Sequence, residues 1–110
     1  MLKIVYQLKV YKSLNGKTPF IDWLNKLVDQ RAKQKIQATL DRATLGNLGK
    51  MRSLGEGVHE LKITYGPGYR IYFGREDSEL IILLCGGDKS TQYEDIKKAK
   101  TYWQDYKKKT

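Results

Sequence analysis

The sequence predicts an α+β fold, in which a small, mostly antiparallel four-stranded sheet carries an N-terminal helical hairpin and a C-terminal helix. Strand patterns occupy residues 2–11 and 58–85, and apolar side chains at helical spacing occupy residues 18–46 and 91–106. The predicted order is therefore β-α-α-β-β-β-α. With 110 residues, of which 40% are hydrophobic, we expect one domain over residues 1–110 around a single modest core.

The N-terminal half is predicted to contain one strand and two helices. Residues 2–11 alternate apolar and polar side chains with a period of two, and Asn15-Gly16 is a turn signal that ends the strand. Thr18-Pro19 begins the first helix, with the threonine as N-cap and the proline in the first helical position. Asp29 caps a second helix, which stops at Gly46, so the two helices are predicted to form the hairpin.

The second half is predicted to supply three strands. Residues 46–57 are rich in glycine and are expected to form a loop. The strands follow at residues 58–65 and 69–74, joined by a tight Gly66-Pro67-Gly68 connection. Residues 79–85 are apolar on both faces, which predicts a central strand.

A helix-start signal precedes the C-terminal helix. After a loop over residues 86–90, Thr91-Gln92-Tyr93-Glu94 matches a capping box, in which threonine and glutamate side chains satisfy unpaired N–H groups. The apolar side of this helix is predicted to consist of Tyr93, Ile96, Ala99, Trp103 and Tyr106.

The charge balance is the first indication of function. The chain has 21 Lys and Arg against 12 Asp and Glu, which gives a net charge of +9. Such an excess attracts acidic partners over long range. Nucleic acid is the commonest such partner, ahead of an acidic protein or an anionic membrane.

Several other classes lack their signatures. Cys85 is the single cysteine, so no intrachain disulfide can form, and its place at the end of an apolar run predicts a small buried hydrophobe. One histidine and scattered carboxylates give no metal-ligand spacing, so neither a metal nor a cofactor is expected. Residues 80–85 form the longest apolar run, which is too short to cross a bilayer. The N-terminus has no signal-type stretch, and we therefore expect a cytoplasmic protein without membrane contact.

Alternation along two neighbouring strands predicts a cationic site. The parity that sends Leu61 and Ile63 to the core sends Lys62 to the opposite face. Arg70 and Tyr72 share that face in the next strand, and the hairpin is expected to bring all three together on an open surface. Arginine offers paired donors to phosphate oxygens and lysine a compact charge, so this face is suited to a phosphodiester.

The loop before the last helix is expected to extend this site. Lys89 follows the central strand, and the free N–H groups near Ser90 and Thr91 are predicted to complete a phosphate cradle at the helix start. Gln92 lies beside them in the sequence.

Such a site has the equipment for RNA cleavage without a metal, in which the 2′-hydroxyl attacks the adjacent phosphate. Arg and Lys would stabilise the added negative charge. The general acid and base stay open among Lys, Tyr, Glu and His. His59 is a candidate by residue type, but it shares the parity of Leu61 and Ile63, which favours a structural place.

Three ordered segments resemble the addiction-module killer proteins, a HigB-like branch of the RelE/ParE toxin superfamily. They cover residues 57–63, 66–73 and 83–92, and they include Gly66-Pro67-Gly68-Tyr69-Arg70 and Gly86-Gly87-Asp88-Lys89-Ser90-Thr91-Gln92. Residues 20–24 and 45–47 resemble earlier segments of the family. The likeness extends over about residues 3–100, and the ordered set is far more specific than any one motif.

The resemblance implies a RelE-like fold and cleavage of mRNA in the ribosomal A site. By position, Arg70 matches the arginine that contacts the scissile phosphate region, and Lys62 and Lys89 fall near other basic positions of the active site. Tyr93 or Gln92 falls near a C-terminal aromatic that some members use. Glu60 occupies a position that is basic in some relatives, which leaves the general base open. The candidate catalytic residues are thus Arg70, Lys62 and Lys89, and the candidate RNA-binding residues are Tyr72, Gln92, Tyr93, Ser90 and Thr91.

The partners implied are mRNA, the ribosome and a cognate antitoxin, expected to be a helix-turn-helix protein encoded next to this chain. Operator DNA would be bound only through the toxin–antitoxin complex. Fold alone does not decide function. The main expectation is an endoribonuclease, an mRNA interferase. The alternatives are a ParE-like toxin that poisons DNA gyrase without nuclease activity, and a non-catalytic module that binds the antitoxin and nucleic acid.

Overall fold

A computed structural model describes residues 6–76 and 80–109, and within them the chain forms an α+β fold with a mixed five-stranded sheet and three helices. The strands are β1 (Gln7–Val10), β2 (Met51–Gly55), β3 (Val58–Ile63), β4 (Tyr69–Glu76) and β5 (Leu80–Gly87). The helices are α1 (Pro19–Lys26), α2 (Gln30–Thr44) and α3 (Gln92–Lys109), the last preceded by a short 3₁₀ turn, Lys89–Thr91. The sheet order is β1-β5-β4-β3-β2.

The sheet differs from the prediction in strand number and in direction. β2 lies inside the segment predicted to be a loop and pairs antiparallel with β3. β2 is an edge strand, and only one of its five residues is partly buried. Because it has almost no buried face, its sequence lacks the alternation of apolar and polar residues that predicts strands. β1 pairs parallel with β5, which makes the sheet mixed, whereas the other neighbours are antiparallel. The first residues of the predicted strand 2–11 lie outside the described residues.

The two N-terminal helices also differ from the predicted hairpin. α1 packs mainly on β5 and α2 on β3, so each helix buries its apolar side on the sheet rather than chiefly on the other helix. The Asp29 carboxylate accepts hydrogen bonds from the backbone N–H groups of Arg31 at 2.9 Å and Ala32 at 3.2 Å, which confirms the predicted cap of α2. Thr18 is the N-cap residue and Pro19 begins α1, as predicted, although the Thr18 side chain makes no capping hydrogen bond with the described residues.

Both faces of the sheet are covered. α1 and α2 enclose one apolar layer, and α3 encloses a second layer on the opposite face. β5 lies inside the sheet and is buried on both faces, as predicted. Gly74 and Gly86 allow this close packing, because a β-carbon at Gly74 would overlap the Trp103 indole and one at Gly86 would overlap the Trp23 indole.

Candidate nucleic-acid interface

The β3–β4 hairpin places Lys62 directly opposite Arg70 and Glu60 directly opposite Tyr72. The predicted sorting onto faces is confirmed, because Leu61 belongs to the layer under α1 and α2 whereas Tyr72 belongs to the layer under α3. The expectation of an open face for Arg70 and Tyr72 is wrong. α3 packs across this side of the sheet, and strand alternation carries no information about that packing.

Tyr72 is the clearest departure from the predicted site. Its side chain is fully buried, and its hydroxyl has no hydrogen-bond partner among the described residues. Burial, followed by the nearby charge of Glu60, raises the pKa of the phenol. A group in this position supports the floor of the site and is not accessible for contact with RNA.

Arg70 lies at the base of the site, with 5% of the residue exposed. Its Nη1 donates to the Gly68 carbonyl oxygen at 2.7 Å, and its Nε lies 3.8 Å from Oε1 of Glu60. The Nε has no hydrogen-bond partner among the described residues. The Gly68 carbonyl oxygen and the Glu60 carboxylate therefore hold the guanidinium in a fixed position.

Two shallow grooves meet over Arg70. The first has a volume of about 400 Å³ and is lined by Lys62, Arg70 and Lys89 together with residues 64–68. The second, of about 460 Å³, is lined by Lys50, Met51, Arg52, Glu60, Lys62, Arg70 and Gln92. Lys62 and Lys89 are exposed. Together with Arg70 they line the first groove, here called the cationic groove, so the structure brings the three predicted cations together.

Glu60 connects the elements that form these grooves. It is 4% exposed, and its carboxylate accepts hydrogen bonds from Nη2 of Arg52 at 3.2 Å and Nε2 of Gln92 at 3.0 Å. Together with Arg70 it joins β2, β3, β4 and the start of α3. This network had no signal in the sequence, because its members come from separate elements and one of them, β2, was not predicted.

The phosphate cradle predicted at the start of α3 does not form. The Ser90 N–H donates to the Asp88 carboxylate at 2.8 Å, and the Thr91 N–H donates to the Asp88 carbonyl oxygen at 3.3 Å. The Ser90 side chain and these N–H groups lower the pKa of Asp88. The predicted capping box is also wrong, because the Thr91 hydroxyl donates to Asp95 at 2.6 Å. Both amides are already occupied by the protein, so neither is open to a phosphate.

Of the two other candidate residues at the start of α3, Gln92 lines the second groove, whereas Tyr93 lines neither groove. Tyr93 is 72% exposed, and Nζ of Lys97 lies 4.3 Å from the centre of its ring. An exposed ring beside a cation is suited to stacking on a nucleic-acid base. Gln92 is partly buried, and its amide is directed to Glu60.

The two remaining chemistry-bearing residues lie apart from the grooves. His59 stacks on Phe73 at 5.4 Å, and burial, followed by the charge of Arg75, lowers its pKa. Cys85 is buried as predicted, and burial raises the pKa of its thiol to about 12, which makes it a poor nucleophile. Over residues 6–76 and 80–109, no group of three or more His, Cys, Asp and Glu is placed to hold a metal ion. Within the same residues, each helix is too short or too polar to span a bilayer.

The fold and the site define a small α+β protein with a cationic groove at the ends of its central strands. No family model matches the chain. An uncharacterized protein of Haemophilus influenzae (strain ATCC 51907 / DSM 11121 / KW20 / Rd) is 50% identical over 86 residues, which span 78% of this chain and 87% of the Haemophilus protein. The chain belongs to the same family as that protein.

Proposed function

We propose that this protein is the toxin of a type II toxin–antitoxin system, with a RelE-like fold, and that it is an endoribonuclease that cleaves mRNA on the ribosome in the cytoplasm. The observation that carries the proposal is the convergence of Lys62, Arg70 and Lys89 on one groove. The net charge of +9 supports a polyanionic substrate. The motifs that resemble RelE/ParE toxins lie on β3, β4, β5 and the turn after β5, and residues of β3, β4 and this turn line the groove.

The proposed reaction needs no metal. The RNA 2′-hydroxyl attacks the adjacent phosphorus and the bond to the 5′-oxygen breaks, which yields a 2′,3′-cyclic phosphate and a 5′-hydroxyl end. One proton leaves the attacking hydroxyl and one reaches the departing oxygen. Arg70 and Lys62 would stabilise the charge that develops on the phosphate, and such fixed charges are usually the largest contribution to catalysis. Lys89 would hold a neighbouring phosphate, and Tyr93 would stack on a base.

We assign Glu60 a positioning role rather than that of general base. Its carboxylate already accepts hydrogen bonds from Arg52 and Gln92 and faces Arg70. Side chains of the protein therefore surround this carboxylate, which is 4% exposed. The network holds Arg70 and Gln92 at the point where the grooves meet.

Charge complementarity suggests how the antitoxin would act. An acidic or amphipathic segment of a helix-turn-helix protein encoded next to this chain would cover the cationic groove and exclude RNA. Operator DNA would then be bound by the complex through the antitoxin.

The test is induction of variants in cells. Arg70→Ala is expected to abolish growth arrest and mRNA cleavage while antitoxin binding is retained. Lys62→Ala and Lys89→Ala change exposed side chains, so both should keep the melting temperature. Lys62→Ala should lower the cleavage rate about 100-fold, as loss of one charge-stabilising donor does, and Lys89→Ala should weaken RNA binding. Lys17→Ala, an exposed lysine outside both grooves, is the control for charge.

Two outcomes would overturn the proposal. Intact mRNA together with DNA damage and trapped gyrase would identify a ParE-like toxin. Harmless expression without the antitoxin would identify a non-catalytic binding module. Primer extension on a reporter mRNA and purification with the product of the adjacent gene measure the two activities separately.

A further inference from the structure

A third groove lies between α2 and the sheet, apart from the point where Arg70 is held. It has a volume of about 330 Å³ and is here called the α2 groove. Its cationic side chains, which are all exposed, are Lys35, Arg42, Lys50 and Lys62. None of the described residues that line it is acidic.

The sequence of α2 accounts for this row of charges. Lys35 and Arg42 are seven residues apart, which is close to two helical turns, so both lie along the same edge of the helix. The helix buries Ala32, Ile36 and Leu40 against the sheet. The edge that carries Lys35 and Arg42 therefore lies beside β3. Nη2 of Arg42 donates to the Thr39 hydroxyl at 3.3 Å, which holds the guanidinium against the helix where it lines the groove.

The sheet supplies the opposite wall of the α2 groove. The backbone N–H of Lys62 donates to the Lys50 carbonyl oxygen at 3.3 Å, which keeps the segment before β2 beside β3. Lys62 also lines the cationic groove and the groove that contains Glu60. One exposed lysine is thus shared by all three grooves, so a single chain of phosphates could pass from one to another.

The lining of the α2 groove favours a phosphate backbone over a protein segment. Peptide-binding grooves offer apolar pockets for anchor side chains. The apolar residues that line the α2 groove, Ala38, Leu48, Leu61 and Ile63, are all buried or half-buried, and the last three belong to or pack against the core under α1 and α2. None of the exposed large hydrophobic residues of the described chain lines it. What recurs along it is positive charge.

We propose that the α2 groove is a second RNA-binding site, which holds the phosphate backbone of the strand that occupies the cationic groove. The identification of the ligand as RNA rests on the proposed function. Because one strand would have to reach both grooves, the inference also sets a minimum length for the RNA. A strand that reaches from Lys89 through Lys62 to Arg42 should bind more tightly than one that fills the cationic groove alone.

The test measures binding without cleavage. The probes are a fluorescein-labelled, fully 2′-O-methylated, unstructured RNA of about 12 nucleotides and a trinucleotide of the same chemistry, in which the attacking hydroxyl is blocked. The variant is Lys35→Gln with Arg42→Gln. The matched control is Lys17→Gln with Lys26→Gln, which removes the same charge from exposed residues that line none of the three grooves.

We expect the α2 variant to raise the dissociation constant of the longer RNA about tenfold, and to lower the slope of log K against log salt by about 1.4, the value for two lost single-strand phosphate contacts. Trinucleotide binding should change less than about twofold, and the control should bind both probes like the wild type. Unchanged melting temperatures would show that the variants are folded.

Other outcomes separate this inference from the proposed function. If the α2 variant binds the longer RNA like the wild type while Arg70→Ala loses cleavage, the second site is wrong and the proposed function stands. If the control loses as much affinity as the α2 variant, binding follows net charge and the inference is also wrong. If the α2 variant loses binding of poly-glutamate but not of RNA, the groove belongs to an acidic protein. If the expected loss is seen but Arg70→Ala still cleaves mRNA, the second site stands and the proposed catalytic residue does not.

Discussion

Glu60 is a buried carboxylate that accepts hydrogen bonds from β2 and α3 and forms an ion pair with Arg70 of β4. Strand parity placed it on the side of Lys62 and Arg70, which the structure confirms. Strand parity could not show that this face of the sheet is buried, because the helix that covers it, α3, lies elsewhere in the sequence. The exposed cations of the site were therefore predictable from local pattern, whereas the buried network beneath them required the tertiary structure.

At this scale we predict that Glu60→Ala lowers the free energy of unfolding by about 3 kcal/mol, because it leaves the buried Arg70 guanidinium without its counter-charge. Urea unfolding measures the loss. Glu56→Ala is the matched control, since Glu56 pairs with Lys100 at 3.2 Å and its side chain is 54% exposed. An exposed pair of this kind contributes at most about 1 kcal/mol. Equal losses in the two variants would contradict the assigned role of Glu60.

Helices pack closely on the sheet at two places where a tryptophan indole contacts a glycine. Trp103 of α3 lies on Gly74 of β4, and Trp23 of α1 lies on Gly86 of β5, so one helix is seated on each face of the sheet by the same device. The helical and strand periodicities predicted most elements but not these contacts. They also missed β2, since an exposed edge strand has no apolar alternation to reveal it.

We predict that Gly74→Ala lowers the free energy of unfolding by about 1–3 kcal/mol, because the added methyl group forces the indole of Trp103 to move. The measurement is urea unfolding of Gly74→Ala, Trp103→Leu and the double variant. The cost of the alanine should fall once the indole is removed, which a double-mutant cycle reports as coupling. Additive losses would show that the alanine acts through something other than Trp103.

Over the whole molecule, seven of the 21 Lys and Arg residues line the three grooves beside the sheet. Composition predicted the class of partner from the net charge of +9 but could not say where the charge lies. Lys35, Lys50, Lys62 and Lys89 come from four separate parts of the chain. Only the arrangement of α2, the β2–β3 pair and the turn before α3 brings them to adjoining grooves.

The stability of the whole fold should fall at alkaline pH. Burial raises the pKa of the Cys85 thiol from 9.0 to about 12. Between these values the folded protein keeps a proton that the unfolded chain releases, so the free energy of unfolding decreases as pH rises from 9 to 12, by up to about 1.4 kcal/mol per pH unit for this group.

Urea unfolding of the wild type and Cys85→Ala between pH 8 and 11 checks this dependence. The variant should lose less stability over the range. Some decline should remain, because burial and the hydrogen bond to Asp105 raise the pKa of Tyr11 to about 12 as well. Parallel curves for the two proteins would show that the thiol does not contribute.

The parallel pairing of β1 with β5 constrains how the protein is made. Translation delivers Gln7–Val10 early, but the strand that it pairs with follows two helices and three further strands in the chain. Parallel neighbours always require such a crossover connection. Lys89 follows β5 in the chain, so the cationic groove cannot be complete before that strand has been made. A growing chain that does not yet include β5 and Lys89 would therefore lack the proposed site.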